Sequence, residues 1–279
     1  MTNDFMFKAV LQRNQTTLKG LLCALLHMRM EEIVVVRIQN PIEIGGMIDE
    51  KKMMLDLKLE LNDSRILDIE MQVVDEGNWS ERSLAYLCRA FDQLEKGKKY
   101  LDVKEPIHIG ILNFTPQGFP EKLYLEYYFY NLDTAHKYSD KMSIRVLQLN
   151  QLKKELDEQI RPEIYDWAQL FKAETWEEMR MLAERDESIK ECVFTYKELT
   201  ADEKARMQSE ARDDYYRRLN WAEERGIRKG MEQAQKETAR TLVSNVNHVM
   251  ESFHVDLERA CKGIGTTVEA YQAAKELLE

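Results

Sequence analysis

Two runs of alternating residues decide the fold: Leu55-Asp56-Leu57-Lys58-Leu59-Glu60-Leu61 and Arg65-Ile66-Leu67-Asp68-Ile69-Glu70-Met71-Gln72. Successive side chains of a β-strand point to opposite faces, so each run has one apolar and one polar face. The turn-forming residues Asn62-Asp63-Ser64 separate the two runs. The sequence therefore predicts a β-hairpin with a polar face that carries Asp56, Lys58, Glu60, Asp68, Glu70 and Gln72.

The regions around this hairpin predict a mixed α/β core over residues 1–150. Apolar residues at helical spacing predict one or two helices over about 4–28, and a β-branched segment predicts a strand over about 32–38. A helix is predicted over 79–96, with a buried stripe of Leu84, Leu87, Cys88, Phe91 and Leu94. Further strands are predicted over 106–114, 123–130 and 144–149, which gives a central sheet flanked by helices.

After Asn150 the pattern changes to charged and apolar residues at helical spacing, without a strand signal. We predict a helical extension over 151–221 and a small helical segment over 241–279. Residues 222–240 are nearly all polar, which is typical of a solvated helical linker.

Composition and charge restrict the class of protein. The chain of 279 residues has no apolar run long enough to cross a membrane, and its start lacks the pattern of a secretory signal. Its four cysteines form no CxxC pair, as expected for reduced thiols in a cytoplasmic protein. The net charge of −10 opposes nucleic-acid binding, but the larger negative excess lies in residues 121–279.

The polar face of the hairpin suggests metal chemistry. Mg²⁺ prefers carboxylate oxygens and water, and Asp56 and Glu70 on neighbouring strands would supply such a pair. Gln72 points to the same side as Glu70 and could orient a water molecule or contact a phosphate. An ordinary hairpin whose acids simply face solvent is the alternative. The five histidines show no ligand spacing for zinc, and no phosphate-binding glycine motif is present.

A family resemblance favours the metal site. Leu55-Asp56 followed by Ile69-Glu70-Met71-Gln72 resembles the D…ExQ form of the PD-(D/E)XK nuclease signature. The ordered set of segments resembles the bacterial recombination-promoting nuclease and transposase family more specifically. These segments are Asp4–Lys8, Ile69–Val73, Arg82–Tyr86, Gly97–Tyr100, Ile107–Phe114 and Gly226–Gly230.

The resemblance implies a restriction-endonuclease-like core and a metal-dependent DNA endonuclease linked to recombination or mobile elements. Asp56 and Glu70 would hold Mg²⁺, with Mn²⁺ or Ca²⁺ as other candidate ions, and the carbonyl of Met71 would add a ligand. Gln72 stands where the commonest form of the motif has lysine, and an amide cannot supply a positive charge. A catalytically degenerate nuclease fold that binds DNA or another protein is therefore the alternative, and an unrelated helical scaffold is a third.

DNA is the expected partner. Arg82, Tyr86 and Arg89 recur on one face of the predicted helix and are candidates for phosphate contacts, as is Lys58 on the hairpin. For each of them, an ordinary solvated or ion-paired side chain is the alternative. The C-terminal helices are a candidate homodimer contact, which would pair two active sites for double-strand cleavage.

Overall fold

The computed structural model describes residues 3–40, 57–62, 64–92, 97, 99–152 and 161–278. These residues form two compact units, Met1–Tyr216 and Arg217–Glu279, here called the N-terminal and C-terminal units. The described helices are α1 (Asp4–Arg13), α2 (Gln15–Leu26), α3 (Trp79–Phe91), α4 (Pro162–Lys172), α5 (Trp176–Ala183), α6 (Glu187–Ala201), α7 (Glu203–Phe253), α8 (Leu257–Gly263) and α9 (Val268–Glu276). The described strands are β1 (Val36–Ile38), β2 (Leu57–Leu61), β3 (Arg65–Gln72), β4 (Glu105–Leu112), β5 (Tyr124–Tyr130) and β6 (Lys137–Gln148).

The strands form one mixed sheet over the described part of the chain, in the order β1-β2-β3-β4-β6-β5. Strand β3 pairs with β4, and β4 with β6, in parallel, whereas β1/β2, β2/β3 and β5/β6 are antiparallel. Helices lie on both faces of this sheet, and the region after residue 161 is helical where it is described. The predicted α/β fold with a helical C-terminal region is thus confirmed.

The predicted hairpin is present as β2 and β3. Leu57 pairs with Ile69 and Leu61 with Arg65, and the turn between them begins at Asn62, whose φ of 51° is left-handed. Asparagine tolerates this conformation better than most residues. The Asn62 side chain also accepts hydrogen bonds from the backbone of Val34 and Val35, at 2.9 and 3.1 Å. The turn is therefore tied to the segment that leads into β1.

The apolar face of the sheet forms the main core. Leu57, Leu59, Leu67 and Ile69 have no solvent exposure and belong to one cluster with side chains of α1, α2, α4, α5 and α6. Burial of this many apolar side chains is the main source of stability for the N-terminal unit. The helices of this core do not cover the opposite face of β3 and β4, which packs against a different helix.

Helix α3 covers that opposite face, and its buried side differs from the predicted stripe. Trp79, Ser83 and Leu87 are its buried residues. The prediction was wrong for Leu84, which is 47% exposed, and for Cys88, which is exposed. Leu94 lies outside the described residues, and Phe91 is half-buried. Because Ser83 is small, α3 can pack close to a sheet face that carries polar side chains.

Two other strands differ in their bounds from the sequence-based expectation. The strand predicted over 144–149 begins earlier, at Lys137, as β6. The strand predicted over 32–38 is present only at Val36–Ile38 and follows a 3-10 turn at Met30–Glu32. The C-terminal unit has its own small core around Val246, Ala260 and Cys261. None of the described helices is long and apolar enough to span a membrane.

Candidate active site

Three polar residues of β3 share the sheet face that α3 covers. Asp68, Glu70 and Gln72 alternate with the core residues Ile69 and Met71, and they are only 5%, 6% and 5% exposed. The alternative that these acids simply face solvent is therefore wrong for Asp68 and Glu70. Asp56, the other predicted metal ligand, lies outside the described residues.

Glu70 forms an ion pair with Arg82 of α3. Arg82 Nη2 lies 2.6 Å from Glu70 Oε1, and Arg82 Nη1 lies 3.4 Å from Oε2 of Glu76. Burial alone would lower the pKa of Arg82, but the negative charges of Glu70 and Glu76 outweigh it and raise this pKa. Arg82 therefore stays charged and neutralises a buried carboxylate in the centre of the site.

Among the residues that the structure describes, no donor reaches two buried oxygen atoms on the same strand as Glu70. Gln72 Oε1 and Asp68 Oδ1 have no hydrogen-bond partner among the described residues. Buried polar atoms of this kind are uncommon in folded proteins because leaving them unsatisfied costs free energy. They mark positions where a cation, a water molecule or a substrate donor would be stabilised.

His108 of β4 lies on the same sheet face as Asp68, Glu70 and Gln72, and these four side chains are here called the polar layer. It pairs in register with Asp68, and its Nδ1 lies 3.7 Å from Asp68 Oδ2. The ring is 1% exposed and stacks on Tyr86 at 5.7 Å with an interplanar angle of 4°. Trp79 packs on it at 5.4 Å. His108 is therefore packed within its strand, and its neighbours include polar side chains of this sheet face.

Gly110 of β4 keeps the layer beside Glu70 open for an aromatic ring. Gly110 pairs in register with Glu70, and a Cβ at position 110 would overlap the six-membered ring of Trp79. The indole therefore lies directly over the strand next to the catalytic candidate. Sequence reasoning missed Trp79 and Gly110, although an isolated glycine in a strand signals a close approach.

The remaining predicted residues fall in different places. Arg82 and Tyr86 face the polar layer, whereas Arg89 is exposed with its guanidinium 5.8 Å from the Tyr86 ring. Lys58 pairs in register with Asp68 on the polar face of β2. The Met71 side chain lies in the main core, so only its backbone could take part in the site.

The oxygen donors among the described residues of this site are of the type that binds a hard divalent cation. Asp68, Glu70 and Gln72 supply buried oxygen atoms, which are the ligands that Mg²⁺ prefers. No group of three histidine, cysteine, aspartate or glutamate side chains within the described ranges is arranged to hold a metal ion. A complete site thus needs donors beyond the described carboxylates, and Asp56, substrate oxygens and water are the candidates.

Comparison with known proteins identifies the family. Comparisons with curated proteins and with solved structures gave no match. A family model described as PD-(D/E)XK nuclease family transposase matches residues 1–224, which include the whole sheet and the buried polar layer. The resemblance drawn from the D…ExQ pattern is therefore confirmed, and the chain belongs to the PD-(D/E)XK nuclease family transposases.

Proposed function

We propose that this protein is a metal-dependent DNA endonuclease that hydrolyses phosphodiester bonds, with Asp56, Glu70 and Gln72 at its catalytic centre. The observation that carries the proposal is the burial of Glu70 beside Gln72 on a strand of a nuclease-family fold. A carboxylate placed in this way costs free energy unless it binds a cation, and Arg82 supplies that charge in the protein alone.

The register of the hairpin supports a role for Asp56. Leu57 pairs with Ile69, so the residue that follows Asp56 lies opposite the residue that precedes Glu70. A pair of carboxylates, here Asp56 and Glu70, would match the ligand set that Mg²⁺ takes in enzymes that act on phosphates.

Each residue then has a distinct part in hydrolysis. Glu70 and Asp56 would hold the cation, and the carbonyl of Met71 would add a ligand. A bound divalent cation lowers the pKa of a water ligand and stabilises charge on the leaving oxygen. Gln72 orients the attacking water or the scissile phosphate through its amide. Arg82, which pairs with Glu70 in the protein alone, would be the residue to contact a phosphate oxygen, for which its planar guanidinium is suited.

Cleavage of supercoiled plasmid by the purified protein tests this proposal. We expect nicking with Mg²⁺ or Mn²⁺, and a loss of at least about 100-fold in Glu70→Gln and Asp56→Asn, because each removes a charge that holds the cation. Glu76→Gln is the matched control, since Glu76 also contacts Arg82 but lies outside the polar layer. Circular dichroism of each variant checks that the fold is intact.

Persistence of cleavage in both Glu70→Gln and Asp56→Asn would show that the site is misplaced. Absence of cleavage with every metal, while DNA binding remains, would instead support a degenerate nuclease fold that acts as a binding module. The Glu70–Arg82 ion pair favours this second candidate, because it already neutralises the carboxylate without a metal.

A link to recombination and a homodimer are the remaining parts of the proposal. Strand breakage is the chemical step that would initiate exchange between DNA molecules.

Ile227 and Met231 of α7 are 54% and 64% exposed and lie one helical turn apart, which suits a helix–helix contact between two copies. A strict monomer by light scattering, with and without DNA, would remove the dimer from this scheme.

A further inference from the structure

Three parallel strands end at one edge of the sheet, where one lysine lies among neutral polar side chains. Strands β3, β4 and β6 end at Gln72, Leu112 and Gln148. The strand-end cluster consists of Asn113, Thr115, Asn150, Gln151 and Lys172. We propose that the strand-end cluster binds a backbone phosphate of the DNA substrate next to the bond that is cleaved. The inference rests on the proposed endonuclease function and specifies how that site holds its substrate.

The strand-end cluster adjoins the catalytic candidate Gln72. Asn113 follows β4 directly, and its backbone N–H donates a hydrogen bond of 3.0 Å to the carbonyl of Gln72. Neighbouring strands lie about 4.8 Å apart, so β3 and β6 are separated by about 10 Å. One DNA strand rises about 3.4 Å per nucleotide, so this distance corresponds to about three nucleotides. Ligands of open α/β sheets commonly bind at the carboxyl ends of the strands. The cluster is therefore close enough to Gln72 to contact a phosphate that flanks the scissile one.

Lys172 supplies the positive charge of the strand-end cluster. It is an exposed residue in the last turn of α4, and its Nζ donates a hydrogen bond of 3.2 Å to Asn113 Oδ1. Among the residues that the structure describes, no carboxylate lies within ion-pair distance of Lys172. By contrast, Arg65 and Lys104, near the opposite ends of β3 and β4, each pair with a glutamate. In a chain with a net charge of −10, such an ammonium is a preferred position for a phosphate oxygen.

The side-chain amide of Asn113 has donor capacity left for a ligand. Its Oδ1 accepts the hydrogen bond from Lys172, and an ammonium can only donate, so this contact fixes which end of the amide is the acceptor. Asn113 Nδ2 donates to none of the described residues. The oxygen atoms of a backbone phosphate accept hydrogen bonds without donating any. Lys172 Nζ and Asn113 Nδ2 are therefore two neighbouring donors of the kind that contact phosphates.

The other three members of the cluster hold further amide donors in place. Asn150 Nδ2 and Gln151 Nε2 donate to Thr115 Oγ1 at 2.9 and 2.8 Å. Each amide nitrogen carries two hydrogen atoms, and within the described part of the chain this bond uses one of them. None of the five members is a carboxylate. The cluster thus combines one cation with neutral donors, which are the groups that position proteins on DNA through its phosphates.

The salt dependence of DNA binding tests the inference. Full-length protein is titrated into labelled duplex DNA at a series of KCl concentrations, in EDTA to prevent metal-dependent cleavage, and fluorescence anisotropy gives Kd. We expect Lys172→Gln to weaken binding about fivefold at low salt and to reduce the slope of log Kd against log salt by about 1, because one phosphate contact is lost. Lys172→Arg should keep the slope, since a guanidinium also binds phosphate.

Two matched controls locate the effect. Lys190→Gln removes a positive charge from an exposed lysine of α6 that already pairs with Glu187, so it should keep the slope. Asn113→Asp adds a negative charge beside Lys172 with almost no change in size, and it should weaken binding about tenfold. Asn131→Asp adds the same charge at the turn after β5, where its Oδ1 accepts backbone hydrogen bonds, and it should weaken binding less than about twofold. Circular dichroism of each variant checks that the fold is intact.

Inorganic phosphate presents the same oxygen atoms as the DNA backbone, and calorimetry separates the two sources. We expect inorganic phosphate alone to bind no more tightly than about 1 mM, because a single ion pair at the surface is weak. Micromolar binding of inorganic phosphate that Lys172→Gln abolishes, together with an unchanged salt slope for DNA, would identify a site for a free anion and overturn the DNA contact.

The outcomes separate this inference from the proposed function. An unchanged slope in Lys172→Gln, or equal losses in the cluster variants and their controls, overturns the phosphate contact even if the enzyme cleaves plasmid. A slope that falls only in the cluster variants, in a protein that cleaves no plasmid with any metal, supports the contact and overturns the endonuclease. Absence of DNA binding overturns the contact.

Discussion

Arg82 neutralises the Glu70 carboxylate when no metal ion is bound. Its guanidinium lies 2.6 Å from the Glu70 carboxylate, which is buried under α3. We expect Arg82→Ala to lower the free energy of unfolding by about 1–2 kcal/mol, because it leaves a buried carboxylate without this cation. Mg²⁺ should raise the melting temperature of the variant more than that of the wild type, since the ion replaces the lost charge.

Thermal melts by circular dichroism, with and without Mg²⁺, measure this effect. The double variant Arg82→Ala/Glu70→Gln is the control, because it lacks the carboxylate and should show no extra metal response. An equal response to Mg²⁺ in the wild type and Arg82→Ala would contradict the exchange of Arg82 for a cation at Glu70.

Cys192 gives a pH dependence of known sign. Burial raises the pKa of its thiol from 9.0 to about 12. The folded protein holds this proton more tightly than the unfolded chain, so the contribution is fully present below pH 9 and is lost as the pH rises towards 12. Between pH 8 and pH 10, Cys192→Ala should therefore lose less stability than the wild type, as measured by denaturant unfolding.

Alkylation of the native protein gives a second readout of the same burial. At pH 8, iodoacetamide should modify the exposed Cys88 and leave the buried Cys192 unmodified until denaturant is added. Rapid labelling of Cys192 in the native state would show that α6 opens readily.

At the scale of elements, the close packing of α3 on β4 depends on one position. A Cβ at Gly110 would overlap the Trp79 indole. We expect Gly110→Ala to destabilise the protein by about 2 kcal/mol and to reduce cleavage, because α3 carries both Trp79 and Arg82. Gly226→Ala is the control, since an added Cβ there meets nothing within 4 Å. Denaturant unfolding and plasmid nicking measure the two effects, and a neutral Gly110→Ala would contradict this packing.

The sequence predicts the elements whose pattern is local. The strict alternation in 57–61 and 65–72 is sufficient for β2 and β3, because one buried face requires that spacing. The family also follows from the sequence, through the spacing of Asp56, Glu70 and Gln72 and the order of the other segments. These predictions depend on short segments of chain rather than on packing between distant ones.

The features of the site that the sequence did not predict depend on which face of a helix packs against the sheet. Periodicity places Leu84 in a buried stripe, but α3 turns Trp79 and Ser83 towards the sheet, where Arg82 also pairs with Glu70. The predicted phosphate-contacting face was chosen for its charge alone. The structure directs Arg82 and Tyr86 towards buried partners, so their contacts with DNA stay a prediction.

At the scale of the N-terminal unit, one buried ion pair joins the two ends of its chain. Asp4 of α1 contacts Arg212 of α7 at 2.9 Å and accepts a hydrogen bond from the Tyr216 hydroxyl at 2.5 Å. The Asp4 and Arg212 side chains are 3% and 13% exposed. We expect Arg212→Ala to cost about 3 kcal/mol, because it leaves Asp4 charged and buried.

Denaturant unfolding of Arg212→Ala measures that cost. Arg206→Ala is the matched control on the same helix, since Arg206 pairs with Glu210 at the surface, where both side chains are 60% or more exposed. Surface pairs contribute little, so this variant should be nearly neutral. Similar stabilities for the two variants would show that Asp4 finds another partner.

The ion pair between Asp4 and Arg212 can form only late during synthesis of the chain. The two residues are 208 positions apart, and a ribosome adds about 5–20 residues per second, so the first helix waits about 10–40 s for this partner. During that time the Asp4 carboxylate lacks the guanidinium that pairs with it in the finished protein. We expect the segment around Asp4 to complete its native contacts only after the start of α7 has been made.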